Sequence, residues 1–144
     1  MRAVCLTALV LAVLSAEGAF AQSYEDLARN PAAYTGQVVN LQGKVVQVLQ
    51  NETNYVLRVN VTPKTYGRLR DDMTTWTDTV YVEYSSTSTN EHRVLEGDVV
   101  NLRGRFAGIK SYKAIFGQTI QLPYVVACEV SDAKSMFRSV PGPC

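Results

Sequence analysis

One histidine, three cysteines and one tryptophan among 144 residues leave this chain poorly supplied for the commoner chemistries. A zinc site draws on several cysteine or histidine ligands, and nucleophilic catalysis usually recruits a histidine base. With His92 as the single imidazole, both classes are disfavoured by supply. Charge of one sign is lacking too. Fourteen Lys and Arg stand against thirteen Asp and Glu, so the net charge of +1 offers no broad basic footprint for a polyanion. The sequence has no Gly-rich phosphate loop, no Cys-x-x-Cys pair and no nucleotide fingerprint, so neither a cofactor nor a metal is expected. The one apolar run, Ala3 to Leu14, is a dozen residues long, short of the ~20 that a membrane-spanning helix needs.

That run has a different meaning. Met1-Arg2 supplies a basic start, and Ser15 to Ala21 ends in Ala19-x-Ala21, which fits a signal peptidase site. Residues 1–21 are therefore expected to be a signal peptide, with a soluble exported chain, periplasmic or secreted, starting near Gln22. Cys5 is not at the far end of the run, where a lipid-modified cysteine would stand. Without Arg2 and Glu17, thirteen basic side chains face twelve acidic ones. The remainder has the length of one domain. Its expected divisions are a helix and turn over 22–36, a barrel over 37–130 and a tail over 131–144. Cys128 and Cys144 form an even pair that an oxidising compartment would join as a disulfide; the alternative is a buried Cys128 with a free Cys144.

A motif occurs twice. Gly36-Gln-Val-Val-Asn-Leu-Gln-Gly43-Lys44 returns sixty-one residues later as Gly97-Asp-Val-Val-Asn-Leu-Arg-Gly104-Arg105. Each copy opens at a turn glycine, runs into β-branched residues and meets a second glycine where a strand bends or bulges. The first copy begins a strand over Gln37 to Leu49 whose apolar parity is expected to switch near Gly43. Tyr55 to Val61 alternates as a second strand that Pro63 should stop, and Thr79 to Tyr84 alternates as a third. The second copy starts the fourth, ending before a loop or hairpin tip over Lys110 to Gln118. Thr119 to Val130 is the fifth, and Pro123 within it demands an edge or a bulge. Ser23 with Glu25 and Asp26 caps a short helix carrying Tyr24 and Leu27, and Pro31 to Tyr34 adds a turn. Short helical turns are also expected around Tyr66 to Met73 and over Ser131 to Arg138. Glu91 to Leu95 is the sole helical material between strands three and four.

Five strands, a leading helix and a long bent first strand match the five-stranded Greek-key barrel of the OB-fold. The echo is then architectural, since strands one and four each begin a run of sheet. Asn30-Pro31, Tyr34-Thr-Gly36, the strand to Val48, Val80 to Tyr84, Leu95-Glu-Gly-Asp98 and the spacing of Tyr112, Gly117 and Pro123 resemble the exported tRNA-anti-like OB-fold proteins of bacteria. The resemblance covers about Leu27 to Val126. It implies the same fold and a nucleic-acid or oligomer-binding ancestry, and it supplies no catalytic residues.

OB-folds commonly bind across strands two and three, between the loops joining strands one to two and four to five. On this chain that surface would include Arg58, Tyr81, Lys110, Tyr112 and Lys113, where rings can stack and cations can meet anions. Trp76, read as a loop residue beside Arg68 and Arg70, is the candidate contact for a protein partner. His92 reads as a solvated loop residue, Asp71-Asp72 as a turn, and Glu83 with Arg103 and Arg105 as surface charge pairing rather than a nuclease constellation. The expected function is thus a non-enzymatic envelope binding module for a protein partner or an oligomeric ligand. The alternatives are single-stranded nucleic-acid binding and, further off, a hydrolase.

Overall fold

A computed structural model describes residues 22–50, 54–66, 73–85, 94–134 and 144. The expected signal peptide with Cys5, the helical turn between Tyr66 and Met73 with Arg68, Arg70 and Asp71-Asp72, the polar stretch after Ser85, His92 and the chain from Ser135 to Pro143 lie outside the described residues.

The chain enters through α1, Tyr24–Arg29, closed at its start by a capping box. The Ser23 Oγ accepts from the Asp26 N–H at 3.2 Å, and the Asp26 carboxylate accepts from the Ser23 N–H at 3.1 Å. These bonds satisfy donors that a helix start leaves orphaned, and the Ser23 hydroxyl, donating to the Asp26 carboxylate at 2.7 Å, with the Ser23 N–H holds that carboxyl below its usual range. Leu27 is fully buried in the core, so this short helix plugs the barrel. The α2 turn, Pro31–Tyr34, uses a proline where its missing N–H costs nothing.

Five strands complete the fold: β1 Val38–Gln50, β2 Asn54–Tyr66, β3 Met73–Ser85, β4 Val99–Lys113 and β5 Thr119–Asp132. They close into a barrel in the order β1-β2-β3-β5-β4, antiparallel except for the β3–β5 seam, which is parallel. Val39, Leu57, Val59, Val80, Val82 and Val125 are fully buried within it. Alternation along the strands sends these side chains inward, and the polar residues between them face out.

The two copies of the motif pair with each other. In the β1–β4 ladder Val38 meets Arg105 and Lys44 meets Val99, and at its centre Leu41 meets Leu102, its own equivalent in the second copy. The closing hydrogen bonds repeat the relation. Val45 N–H donates to Asp98 O at 2.8 Å and Gly97 N–H to Val45 O at 2.8 Å, while Phe106 N–H donates to Gln37 O at 2.9 Å and Gly36 N–H to Phe106 O at 2.8 Å. The echo is a local two-fold axis through one ladder.

Its inner glycines are there for closeness. A Cβ on Gly43 would lie 2.6 Å from Val59 Cγ1 and also strike the Asn60 carbonyl; one on Gly104 would lie 2.7 Å from Ala127 Cα and strike the Val126 carbonyl. At Lys44, β1 leaves β4 for β2, and the parity switch comes as a bulge between Val45 and Gln47, not at Gly43.

Several boundaries differ from the sequence expectation. Pro63 does not end β2: it pairs with Trp76, and the strand runs on to Tyr66. The β1–β2 ladder has already stopped at Lys44–Asn60, so beyond it one side of β2 needs no donor. Trp76 accordingly lies in β3 rather than in a loop. Lys110 and Tyr112 are strand residues of β4, and the tip shrinks to residues 114–118. Ser131 continues β5, pairing with Asn101, instead of opening a helix. Pro123 stands beside a bulge between Phe106 and Ile109 and just before the β3–β5 seam, as its chemistry requires.

Candidate ligand-binding face

Register brings the outward residues of four strands onto one side. Arg58 pairs with Tyr81, Tyr81 with Tyr124, and Tyr112 with Ile120. Of these, Arg58, Tyr81, Tyr112 and Ile120 line an open groove of about 530 Å³. Arg58, Tyr81, Tyr112 and Lys113 all line it, as expected from the sequence, along with Gln47, Leu49, Val56 and the tip residues Ile115 and Phe116. Lys110 stands beside it, over the Tyr81 ring. Trp76 is elsewhere, half-buried on the β2–β3 arm, with its carbonyl accepting from Asn60 Nδ2 at 2.9 Å.

The groove's electrostatics are lopsided. Among the described residues no carboxylate lines it. The Arg58 guanidinium lies 6.0 Å from the centre of the Tyr112 ring and donates from Nη1 to Gln47 Oε1 at 3.4 Å. Its Nε and the Tyr112 hydroxyl are buried with no hydrogen-bond partner among the described residues. A buried donor left unmade costs free energy comparable to a lost hydrogen bond, about 1–3 kcal/mol.

Behind them is an aromatic cluster that local sequence patterns do not assemble. Tyr81 and Tyr124 meet edge to face with centroids 5.5 Å apart, and the Lys110 ammonium sits 5.2 Å and 5.0 Å from their centres. This cation is therefore partly satisfied by ring faces. The Tyr124 hydroxyl donates to the Glu83 carboxylate. Burial, reinforced by that bond and by the Glu83 charge, pushes the Tyr124 phenol up to about 12. Burial also raises Tyr81, helped by Glu83. The signal that would have found Tyr124 is the parallel register of β5 on β3, which no local pattern discloses.

The charge constellation of Glu83, Arg103 and Arg105 is not assembled. β5 separates β3 from β4, Glu83 is engaged by Tyr124, and Arg105 donates to Gly36 O at 2.6 Å and to Cys144 O at 2.5 Å. Arg103 lies instead in a shallow hollow of about 330 Å³ with Asn40, Gln42, Asn101 and Glu129. Cys128 and Cys144 are joined as a disulfide, with Cα atoms 5.4 Å apart. Among the described residues no group of three or more His, Cys, Asp or Glu could hold a metal ion, and no helix is long and apolar enough to cross a membrane.

No family model matches the chain, and no curated protein does. Among solved structures it is similar to the small single-stranded DNA-binding protein from Streptomyces coelicolor, with a TM-score of 0.51 and 14% identity over 69% of this chain and 95% of that one. At that identity the likeness concerns fold. With the closed barrel and its strand order, it makes this chain an OB-fold.

Proposed function

We propose that the chain is a non-enzymatic binding module of the bacterial envelope that holds an extended segment of a protein partner across the β2–β3–β5 face. The observation that carries this reading is the groove itself, where Arg58, Tyr112 and Lys113 stand among apolar walls at Leu49, Val56 and Ile120. A peptide offers what such a wall takes, apolar side chains with carbonyl or carboxylate acceptors between them. The likeness of Leu27 to Val126 to exported tRNA-anti-like chains, together with the signal-like residues 1–21, supports the envelope location. The net charge of +1 argues against a polyanion as the main ligand.

Single-stranded nucleic acid is the second reading, favoured by tyrosines and cations on one OB-fold face and by the description of the structural neighbour. One pair of measurements separates them. A photo-crosslinking residue at Tyr112 should trap a discrete envelope protein, whereas the same residue at Trp76 should not, and Arg58→Ala should abolish the product. Labelled oligodeoxythymidine should show no salt-sensitive binding at low ionic strength. Tight oligonucleotide binding lost on Lys110→Ala, Tyr112→Ala and Lys113→Ala would replace the protein reading with the nucleic-acid one.

A further inference from the structure

The β4–β5 turn carries an apolar pair that a ligand-binding groove does not require. Ile115 and Phe116 are 97% and 92% exposed, whereas no hydrophobic side chain of the barrel core exceeds 9%. Scattered surface apolar residues need no explanation. These two are adjacent, at the summit of a projecting arm. Pairing of β4 with β1 ends at Val38–Arg105 and pairing of β5 with β3 starts only at Tyr124, so the hairpin from Ile109–Pro123 to Lys113–Thr119 is held by its own ladder. Leu49, 51% exposed, lines the same groove as the tip.

The turn's backbone and charges point to one kind of surface. Ala114 N–H donates to Gln118 O at 2.8 Å and Gly117 N–H to Ala114 O at 2.9 Å, so the turn satisfies two of its own donors and loses less on leaving water. Lys113 closes β4 two positions before Ile115 and lines the groove with Arg58, and no carboxylate lines it among the described residues. Apolar side chains foremost with cations set one level back is the order of a lipid–water interface, where rings enter the acyl boundary and ammonium groups meet phosphates.

We propose that the Ile115–Phe116 tip is an interfacial anchor that seats this chain on an anionic lipid surface. The anchor shares side chains with the groove but does not depend on what the groove binds.

The test is co-sedimentation of the full chain with phosphatidylcholine vesicles, with and without phosphatidylglycerol. Binding should require phosphatidylglycerol and weaken with salt. Each exposed apolar side chain replaced by serine should lower affinity about tenfold, so the double variant Ile115→Ser/Phe116→Ser should lose about a hundredfold with an unchanged circular dichroism spectrum. Lys113→Glu should weaken binding by about tenfold or more, and Tyr112→Ala should leave it intact. Failure to bind the anionic vesicles, equal binding to neutral ones, or undiminished binding by the double variant would overturn the anchor. If the double variant instead loses the Tyr112 crosslink while vesicles are ignored, the tip belongs to the protein-binding groove and that reading stands without the anchor.

Discussion

Tyr124 shows how one residue collects several causes. Its ring packs against Tyr81 and the Lys110 ammonium, and its hydroxyl is committed to Glu83. Burial is the largest reason its phenol rises to about 12, and the Glu83 hydrogen bond and charge come next. The protonated form is the one the fold prefers. Its contribution to stability is therefore complete below the ordinary tyrosine value near ~10 and is lost as pH climbs from there through the folded value. Absorbance titration of tyrosinate should reveal one late-ionising tyrosine that disappears in Tyr124→Phe. In Glu83→Gln it should titrate earlier yet still above an ordinary tyrosine, because burial remains; a titration at the ordinary tyrosine value would contradict that ranking. At this scale the sequence is only partly legible. Arg58, Tyr81, Tyr112 and Lys113 could be placed on one groove because strand alternation and the OB-fold plan fix the outward face. Tyr124 and the engagement of Lys110 could not, since both depend on which strand lies beside which.

Among the elements, boundaries are the hardest to read and for a consistent reason. Pro63 reads as a stop only if both edges of β2 are paired, and Trp76 reads as a loop residue only if β3 waits until Thr79. The β2–β3 arm outlives its neighbours on either side, so both signals lose their force. The helix expected from Ser131 gives way to a fifth strand kept on by the β4 ladder as far as Val100–Asp132. Cys144 is tied back to the barrel by its disulfide with Cys128 and by Arg105, which grips the Cys144 carbonyl and the Gly36 carbonyl together. The disulfide spans 16 residues, for which the loop-entropy relation gives about 3 kcal/mol. Cys144→Ser should lower the free energy of urea unfolding by about that amount, and a reductant should bring the wild-type chain to the same midpoint. A variant as stable as the oxidised parent would show that the link contributes nothing to the barrel.

For the whole molecule, closure depends on contacts far apart in sequence. The barrel is sealed by a parallel seam of four residue pairs, Tyr81–Tyr124 to Tyr84–Ala127, and by a ladder joining residues about sixty positions apart. Such topologies fold on the millisecond-to-second scale because loop closure precedes the contacts that reward it. Strand count and a closed five-stranded barrel could be read from periodicity and turn glycines, whereas the residue registers of the two ladders that seal it could not. The two-fold ladder carries one more consequence, because a strand that pairs antiparallel with its own near-copy can pair the same way with itself. In the native ladder Gln42 Nε2 donates to Asn101 Oδ1 at 2.9 Å and Val39 faces Gly104. Two unfolded chains could set β1 against β1 in the same register, with Leu41 on Leu41, Gln42 on Asn40 and Val39 on Gly43. The first strand of each molecule is thus a decoy for the first strand of another. Refolding yield should fall as protein concentration rises, with dimers accumulating, and a synthetic peptide spanning residues 36–45 should slow refolding of dilute chain. Yields indifferent to both concentration and peptide would mean that closure of the barrel outpaces every encounter between chains.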